Sequence, residues 1–179
     1  MKTYVILLRG INVGGHNKLP MVDLRQALTS EGFADVKTYI QSGNIILKSE
    51  LNNVAKIKTK IAKAIKTHFE LDIPVLAKTP SELRVIFDDC PFEDAVKQVS
   101  YFVLLSQKPT SDKVGIAQQK TYPNEEFHII NDVIYFFPKN GYGRAKFNLA
   151  YFERVLETKA TARNYKTMLK LLELSEAKP

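Results

Sequence analysis

One cysteine, no tryptophan and three scattered histidines are what this chain of 179 residues offers to redox, metal or nucleophilic chemistry. A lone Cys90 excludes an internal disulfide and a cysteine-rich metal site. Lying beside Pro91 after an apolar helical pattern, it reads as a small buried filler. His16, His68 and His128 have neither zinc-ligand nor triad spacing, so no metal and no cofactor is indicated. No serine sits in a nucleophile elbow, and acidic pairs such as Asp88-Asp89 and Glu125-Glu126 are adjacent in sequence, which places them poorly to face one another. No enzymatic machinery is visible. Long apolar runs are missing too: Tyr4-Val5-Ile6-Leu7-Leu8 stops at Arg9, far short of the roughly 20 residues of a membrane span and too short for a signal-peptide core. The expectation is a cytoplasmic protein without a membrane partner.

What is present is ordinary core material with an excess of positive charge. With 45% hydrophobic and 25% charged residues, the composition is that of a globular chain of one domain or two small ones. The formal charge of +7 and pI near 9.4 favour anionic partners. The surplus is lopsided: from Lys139 to Pro179 nine Lys or Arg face four Glu. A second lysine cluster, Lys56, Lys58, Lys60, Lys63 and Lys66, alternates at helical spacing with Val54, Ile57, Ile61, Ile65 and Phe69. It reads as the solvated face of an amphipathic helix.

The order of elements is legible from the patterning. Thr3 to Leu8 reads as a strand apolar on both faces. Pro20 opens a helix carrying Met21, Leu24, Ala27 and Leu28, and Gly32 stops it. Val36–Gln41 and Asn44–Lys48 are β-rich runs around a Ser42-Gly43 hairpin signal. The lysine-faced helix from Asn53 to Phe69 and a strand from Ile73 to Lys78 complete a β-α-β-β-α-β series, the split, ferredoxin-like arrangement with an antiparallel sheet and both helices on one face. Thr79-Pro80-Ser81-Glu82 is a capping-box pattern. Beyond a boundary at Asp88-Asp89-Cys90-Pro91, a strand at 99–105, a helix at 111–118 and strands at 126–131 and 133–137 repeat the order. Helical spacing then returns in Leu149, Phe152, Val155 and Leu156 and again in Tyr165, Met168, Leu169 and Leu172. The fold class expected is therefore α+β, with two ferredoxin-like units in tandem. Residues 1–90 form the first unit and 91–179 the second, which finishes in helices instead of a clear last strand.

Three polar, glycine-marked segments stand out from this scaffold: Arg9–Lys18, Tyr39–Asn44, and the late Gly143–Lys146 with Thr161–Asn164. Carboxamides, hydroxyls, glycine backbone and guanidinium suit an anion or a polar ligand edge better than a core. In the split topology the first two strands run to the same edge, which makes the Arg9 loop and the hairpin neighbours. The candidate ligand-binding residues are Arg9, Asn12, Gly14 and Lys18 of the loop and Tyr39, Gln41, Ser42, Gly43 and Asn44 of the hairpin, with Lys146, Arg163 and Asn164 from the late segment. Tyr39 and Gln41 are expected to share a strand face by the two-residue period. Gly10, Gly14 and Gly15 suit either turns or a cradle for a phosphate, and their spacing matches no nucleotide-binding fingerprint. Thr161 reads as the N-cap of the final helix. That puts Arg163 and Asn164 in its first turn, where a cation opposes the helix dipole unless an anion is bound.

The opening Leu7-Leu8-Arg9-Gly10-Ile11-Asn12-Val13-Gly14-Gly15 with Asn17-Lys18, then Tyr39-Ile40-Gln41-Ser42-Gly43-Asn44, and the late Glu153-Arg154 and Thr161-Ala162-Arg163-Asn164, resemble the bacterial family known as domain of unknown function 1697. The resemblance implies tandem ferredoxin-like units and a cytoplasmic bacterial protein of about this length, without an activity. The chain departs from the family pattern at Ala145, where a serine is usual, and at Tyr165-Lys166, where Trp-Asn is usual. The residues themselves point to binding or turnover of an anionic small molecule, a phosphorylated or carboxylated metabolite. The alternative is an RNA- or DNA-binding module that uses a ferredoxin-like sheet and the basic C-terminal part.

Overall fold

The computed structural model describes residues 1–177 and divides them into two compact units, Met1–Val85 with the residues from Lys170 on, and Ile86–Leu169. The division falls inside a helix, Pro80–Asp88, and the last helix, Tyr165–Glu176, contributes to both. Each unit holds one four-stranded antiparallel sheet, and the two sheets have the same strand order.

The first unit runs β1 (Lys2–Leu8), α1 (Met21–Ser30), β2 (Ala34–Tyr39), β3 (Asn44–Ser49), α2 (Val54–Phe69) and β4 (Val75–Lys78), with sheet order β2-β3-β1-β4. This is the split β-α-β order, with the first and third strands adjacent. Its core joins Tyr4, Ile6 and Leu8 of β1 and Ile45 and Leu47 of β3 to Leu24 and Leu28 of α1 and Ile57, Ile61 and Ile65 of α2. Each such side chain taken fully out of water contributes about 1.5–3 kcal/mol. The alternate residues Val5, Leu7, Ile46 and Leu76 are buried as well, which is why β1 reads as apolar on both faces. The lysines of α2 lie on its exposed side, and the helix starts where Asn53 Oδ1 accepts from the Lys56 amide at 3.1 Å. α3 (Pro80–Asp88) begins at a capping box: the Thr79 amide donates to Glu82 Oε2 at 2.7 Å and the Glu82 amide to Thr79 Oγ1 at 3.2 Å.

The second unit contains a short α4 (Asp94–Lys97), which the sequence pattern does not reveal. β5 (Tyr101–Leu105), α5 (Ser111–Gln118), β6 (Glu125–Ile130), β7 (Val133–Pro138), α6 (Leu149–Val155) and β8 (Ala160–Asn164) follow, and α7 (Tyr165–Glu176) closes the chain. Sheet order β6-β7-β5-β8 reproduces that of the first unit, so the second unit does have its last strand. The expectation of helices in its place is corrected. β8 has one β-branched residue in five, and its extended state is fixed by antiparallel pairing with β5, from Tyr101↔Asn164 to Leu105↔Ala160. The Ala160 amide also donates to Glu153 Oε1 at 2.8 Å, anchoring the strand to α6. Thr161 is therefore a strand residue and not a helix cap. Asn164 caps α7 instead, its Oδ1 accepting from the Thr167 amide at 2.9 Å. An aromatic cluster of Tyr122, Phe127, Phe147 and Phe152 packs the helical side of this sheet. Cys90 is buried, and burial pushes its thiol pKa up, which keeps it protonated and inert near neutrality. Among the described residues no helix is long and apolar enough to cross a membrane, and no three His, Cys, Asp or Glu cluster to hold a metal ion.

Candidate functional site

The register Leu7↔Asn44 and Tyr39↔Asn44 brings the end of β1 beside the β2–β3 hairpin, so the Arg9–Lys18 loop and the hairpin meet at one rim of the first sheet. Asn12 holds them together. Its Nδ2 donates to the carbonyls of Leu19 at 3.0 Å and Gln41 at 2.9 Å, while its Oδ1 accepts from the Leu19 amide at 2.8 Å. Across the loop, Asn17 Nδ2 donates to the Gly10 carbonyl at 2.8 Å. Gly14 and Gly15, both with positive φ, form a tight turn closed by His16 N–H to Val13 O at 3.0 Å, the pattern of a type I′ turn. On the hairpin side, Asn44 is fully buried and donates to the Tyr39 carbonyl at 3.1 Å and to Ser42 Oγ at 2.9 Å. The Leu8 amide donates to the Gly43 carbonyl at 2.8 Å. Asn12, Ser42, Gly43 and Asn44 thus build the rim. Arg9 is half-buried, and Lys18 and the Gln41 side chain are exposed. Tyr39 and Gln41 do not share a strand face as their spacing implies: β2 ends at Tyr39, and Ile40 turns the chain with φ of 49°.

The late residues are divided within the second unit. Arg163 is buried in β8, where its Nη1 donates to Thr161 Oγ1 at 2.7 Å and to the Ala162 carbonyl at 2.8 Å. Burial lowers its guanidinium to about 10. Lys146 and Asn164 line different cavities. The argument from a cation in the first turn of the last helix does not apply to Arg163, because the residue precedes that helix in a strand.

The cavity at Lys146, about 290 Å³, is the more cationic of the two. Lys120, Lys146 and Arg154 line it together with Tyr122, Asn148 and Tyr151, and no acidic residue does. Lys120 Nζ lies 5.4 Å from the Tyr122 ring centroid and 5.6 Å from that of Tyr151, and the Arg154 guanidinium is 5.8 Å from Tyr151. These cation–π contacts hold the charges over rigid rings without neutralising them. None of the three cations is in an ion pair among the described residues. Burial raises the Tyr122 hydroxyl pKa, so it remains a neutral donor at physiological pH. One carboxylate is close by: Glu125 Oε1 accepts from the Lys146 amide, and its Oε2 is buried without a hydrogen-bond partner. The sequence pattern missed Lys120, Tyr122, Asn148, Tyr151 and Arg154 as site residues. The signal available was Tyr151 and Arg154 at i, i+3, neighbours on one helix face.

A family model described as protein of unknown function (DUF1697) matches residues 1–135. The chain belongs to that family. The match covers the loop–hairpin rim of this family member, and Lys146, Tyr151 and Arg154 lie beyond it. A solved structure, described as conserved bacterial protein SP0830 from Streptococcus pneumoniae, is similar over 99% of each chain, with 25% identity and a TM-score of 0.76. It shares the mixed α+β architecture of two antiparallel sheets. None of the curated proteins matches the chain.

Proposed function

We propose that this DUF1697 protein binds a small anionic molecule, a phosphorylated or carboxylated metabolite, and that Lys120, Lys146 and Arg154 hold its charged group. The observation that carries the reading is a cavity of about 290 Å³ lined by three cations, two tyrosines and no acidic residue. Three like charges repel one another, and gathering them around one cavity costs free energy that an anion offsets. Arg154 supplies a planar fork for two oxygens, Lys120 and Lys146 act as point charges, and the Tyr122 hydroxyl and the Asn148 carboxamide fix orientation.

The test is a thermal-shift panel of inorganic phosphate, pyrophosphate, sugar phosphates and di- and tricarboxylates. A ligand at a hundredfold excess over its Kd adds about 2.7 kcal/mol of stability. Arg154→Ala and Lys120→Ala are expected to weaken the best ligand by roughly 10- to 100-fold each, the worth of one charge-assisted contact. A best ligand whose shift survives both substitutions would refute the assignment.

A further inference from the structure

A cavity of about 440 Å³ in the second unit is lined by other residues than the Lys120–Arg154 cavity and differs in its chemistry. Its defining feature is a pair of stacked tyrosines, Tyr101 and Tyr142, with ring centroids 4.3 Å apart and planes at 27°. Tyr101 belongs to β5. Tyr142 sits in a single helical turn, Tyr142–Arg144, fixed by Arg144 N–H to Gly141 O at 3.2 Å and Ala145 N–H to Tyr142 O at 3.0 Å. Tyr142 is 52% exposed even though its ring rests on its partner, so it presents an aromatic surface at the cavity. Two lysines, Lys139 at the end of β7 and Lys166 in α7, line the same cavity, no acidic residue does, and neither lysine is in an ion pair among the described residues. Asn164 completes it. Its Oδ1 is committed to capping α7, which fixes the carboxamide, and its Nδ2 has no hydrogen-bond partner among the described residues.

A flat aromatic platform, a directed amide donor and two cations are the three things a nucleotide needs: a face for the base, a donor for a ring carbonyl or ring nitrogen, and counter-charge for phosphate. The volume lies within the 300–1,000 Å³ range usual for such ligands. We infer that this cavity binds a nucleobase bearing a phosphate, with the base stacked on Tyr142 and the phosphate met by Lys139 and Lys166. The inference uses none of the residues of the anion cavity at Lys120 and stands or falls apart from it. The same chemistry is presented by a free nucleotide and by one unit of a single strand. A strand has somewhere to continue, because a smaller cavity of about 110 Å³, lined by Arg144 and also by Glu125, shares Pro138 and Gly141 with this one.

The experiment is isothermal titration of the full chain with uridine and adenosine 5′-monophosphates, with ribose 5-phosphate, and with an eight-residue oligouridylate. The monophosphates are expected to bind at least about tenfold more tightly than ribose 5-phosphate, which lacks the base. Tyr142→Ala should weaken them by about 5- to 100-fold, in line with the loss of one stacked base. The exposed position of this ring keeps the fold intact, which circular dichroism checks. Lys139→Ala with Lys166→Ala should weaken them further, while Lys63→Ala, removing equal charge from α2, should not. An oligonucleotide no tighter than the monophosphate identifies a free nucleotide. One that is tenfold tighter, with log affinity falling by about 0.7 per phosphate against log salt, identifies a single strand. Absence of binding by both, or affinities unchanged within twofold in Tyr142→Ala, overturns the inference.

Discussion

At the scale of the residue, the positions that attract notice in the sequence divide into those that hold the backbone and those that remain to meet a ligand. Gly43 holds the backbone. Its φ is +74°, and a Cβ there would come within 2.6 Å of Leu8 Cβ and 2.9 Å of Ile11 Cδ1. Gly10 has a similar φ of +67° but nothing within 4 Å. Gly10→Ala should therefore cost about 1–2 kcal/mol, the left-handed penalty alone. Gly43→Ala should cost about 2–4 kcal/mol because overpacking is added. Urea unfolding of the two variants measures the difference, and equal losses would show that the close approach of Leu8 is not what requires glycine. Asn12 and Asn44 belong to the same class, since their carboxamides are used within the rim. Sequence identified these residues as unusual but could not assign the reason, because a carboxamide spent on a neighbouring carbonyl and one aimed at a ligand are the same letter.

Among the elements, β8 and α7 show local pattern yielding to pairing. The stretch Ala160–Asn164 has weak strand propensity, and Thr161 has a helix cap's chemistry, yet pairing along the whole of β5 makes it a strand. The cap moves three residues on, to Asn164. Asn164→Ala is expected to lower stability by about 1 kcal/mol, and Asn164→Asp to retain most of it, since a carboxylate caps equally well. A larger loss in Thr161→Ala than in Asn164→Ala, corrected for burial, would return the cap to Thr161. Where local signals agreed with tertiary pairing, as in α2, the Thr79–Glu82 capping box and the two β-hairpins, the sequence located the elements to within two or three residues.

For the whole molecule, stability at high pH follows from where the phenols lie. Burial holds the Tyr135 hydroxyl far above its ordinary value of 10.0, and it donates to the Ile86 carbonyl at 2.8 Å. Tyr101 and Tyr122 shift in the same direction, also through burial. Above pH 10 the unfolded chain releases phenolic protons that the folded chain keeps. Stability is thus fully present below pH 10 and falls as pH rises, by about 1.4 kcal/mol per pH unit for each proton retained. Arg163 works the other way, since the folded state sheds its proton from about 10 while the unfolded state holds it to the higher pH of an ordinary guanidinium. The drop that Tyr135 contributes is isolated by comparing urea midpoints between pH 10 and 11.5 with those of a variant lacking its hydroxyl. Tyr135→Phe should flatten that drop while lowering stability at pH 7 by about 1 kcal/mol, the worth of the lost hydrogen bond. A slope unchanged in Tyr135→Phe would remove Tyr135 from the explanation. By itself the sequence determined the two-unit α+β architecture, the first sheet's order and the meeting of the Arg9 loop with the hairpin, because hydrophobic period and turn chemistry act within a few residues and topology then fixes which strand ends share an edge. The last strand of the second unit, and the gathering of Lys120, Lys146 and Arg154 around two tyrosines and of Lys139 and Lys166 around two others, were decided in three dimensions. Those residues come from separate loops and helix faces, and nothing in their local spacing records which charges the packed chain will bring together.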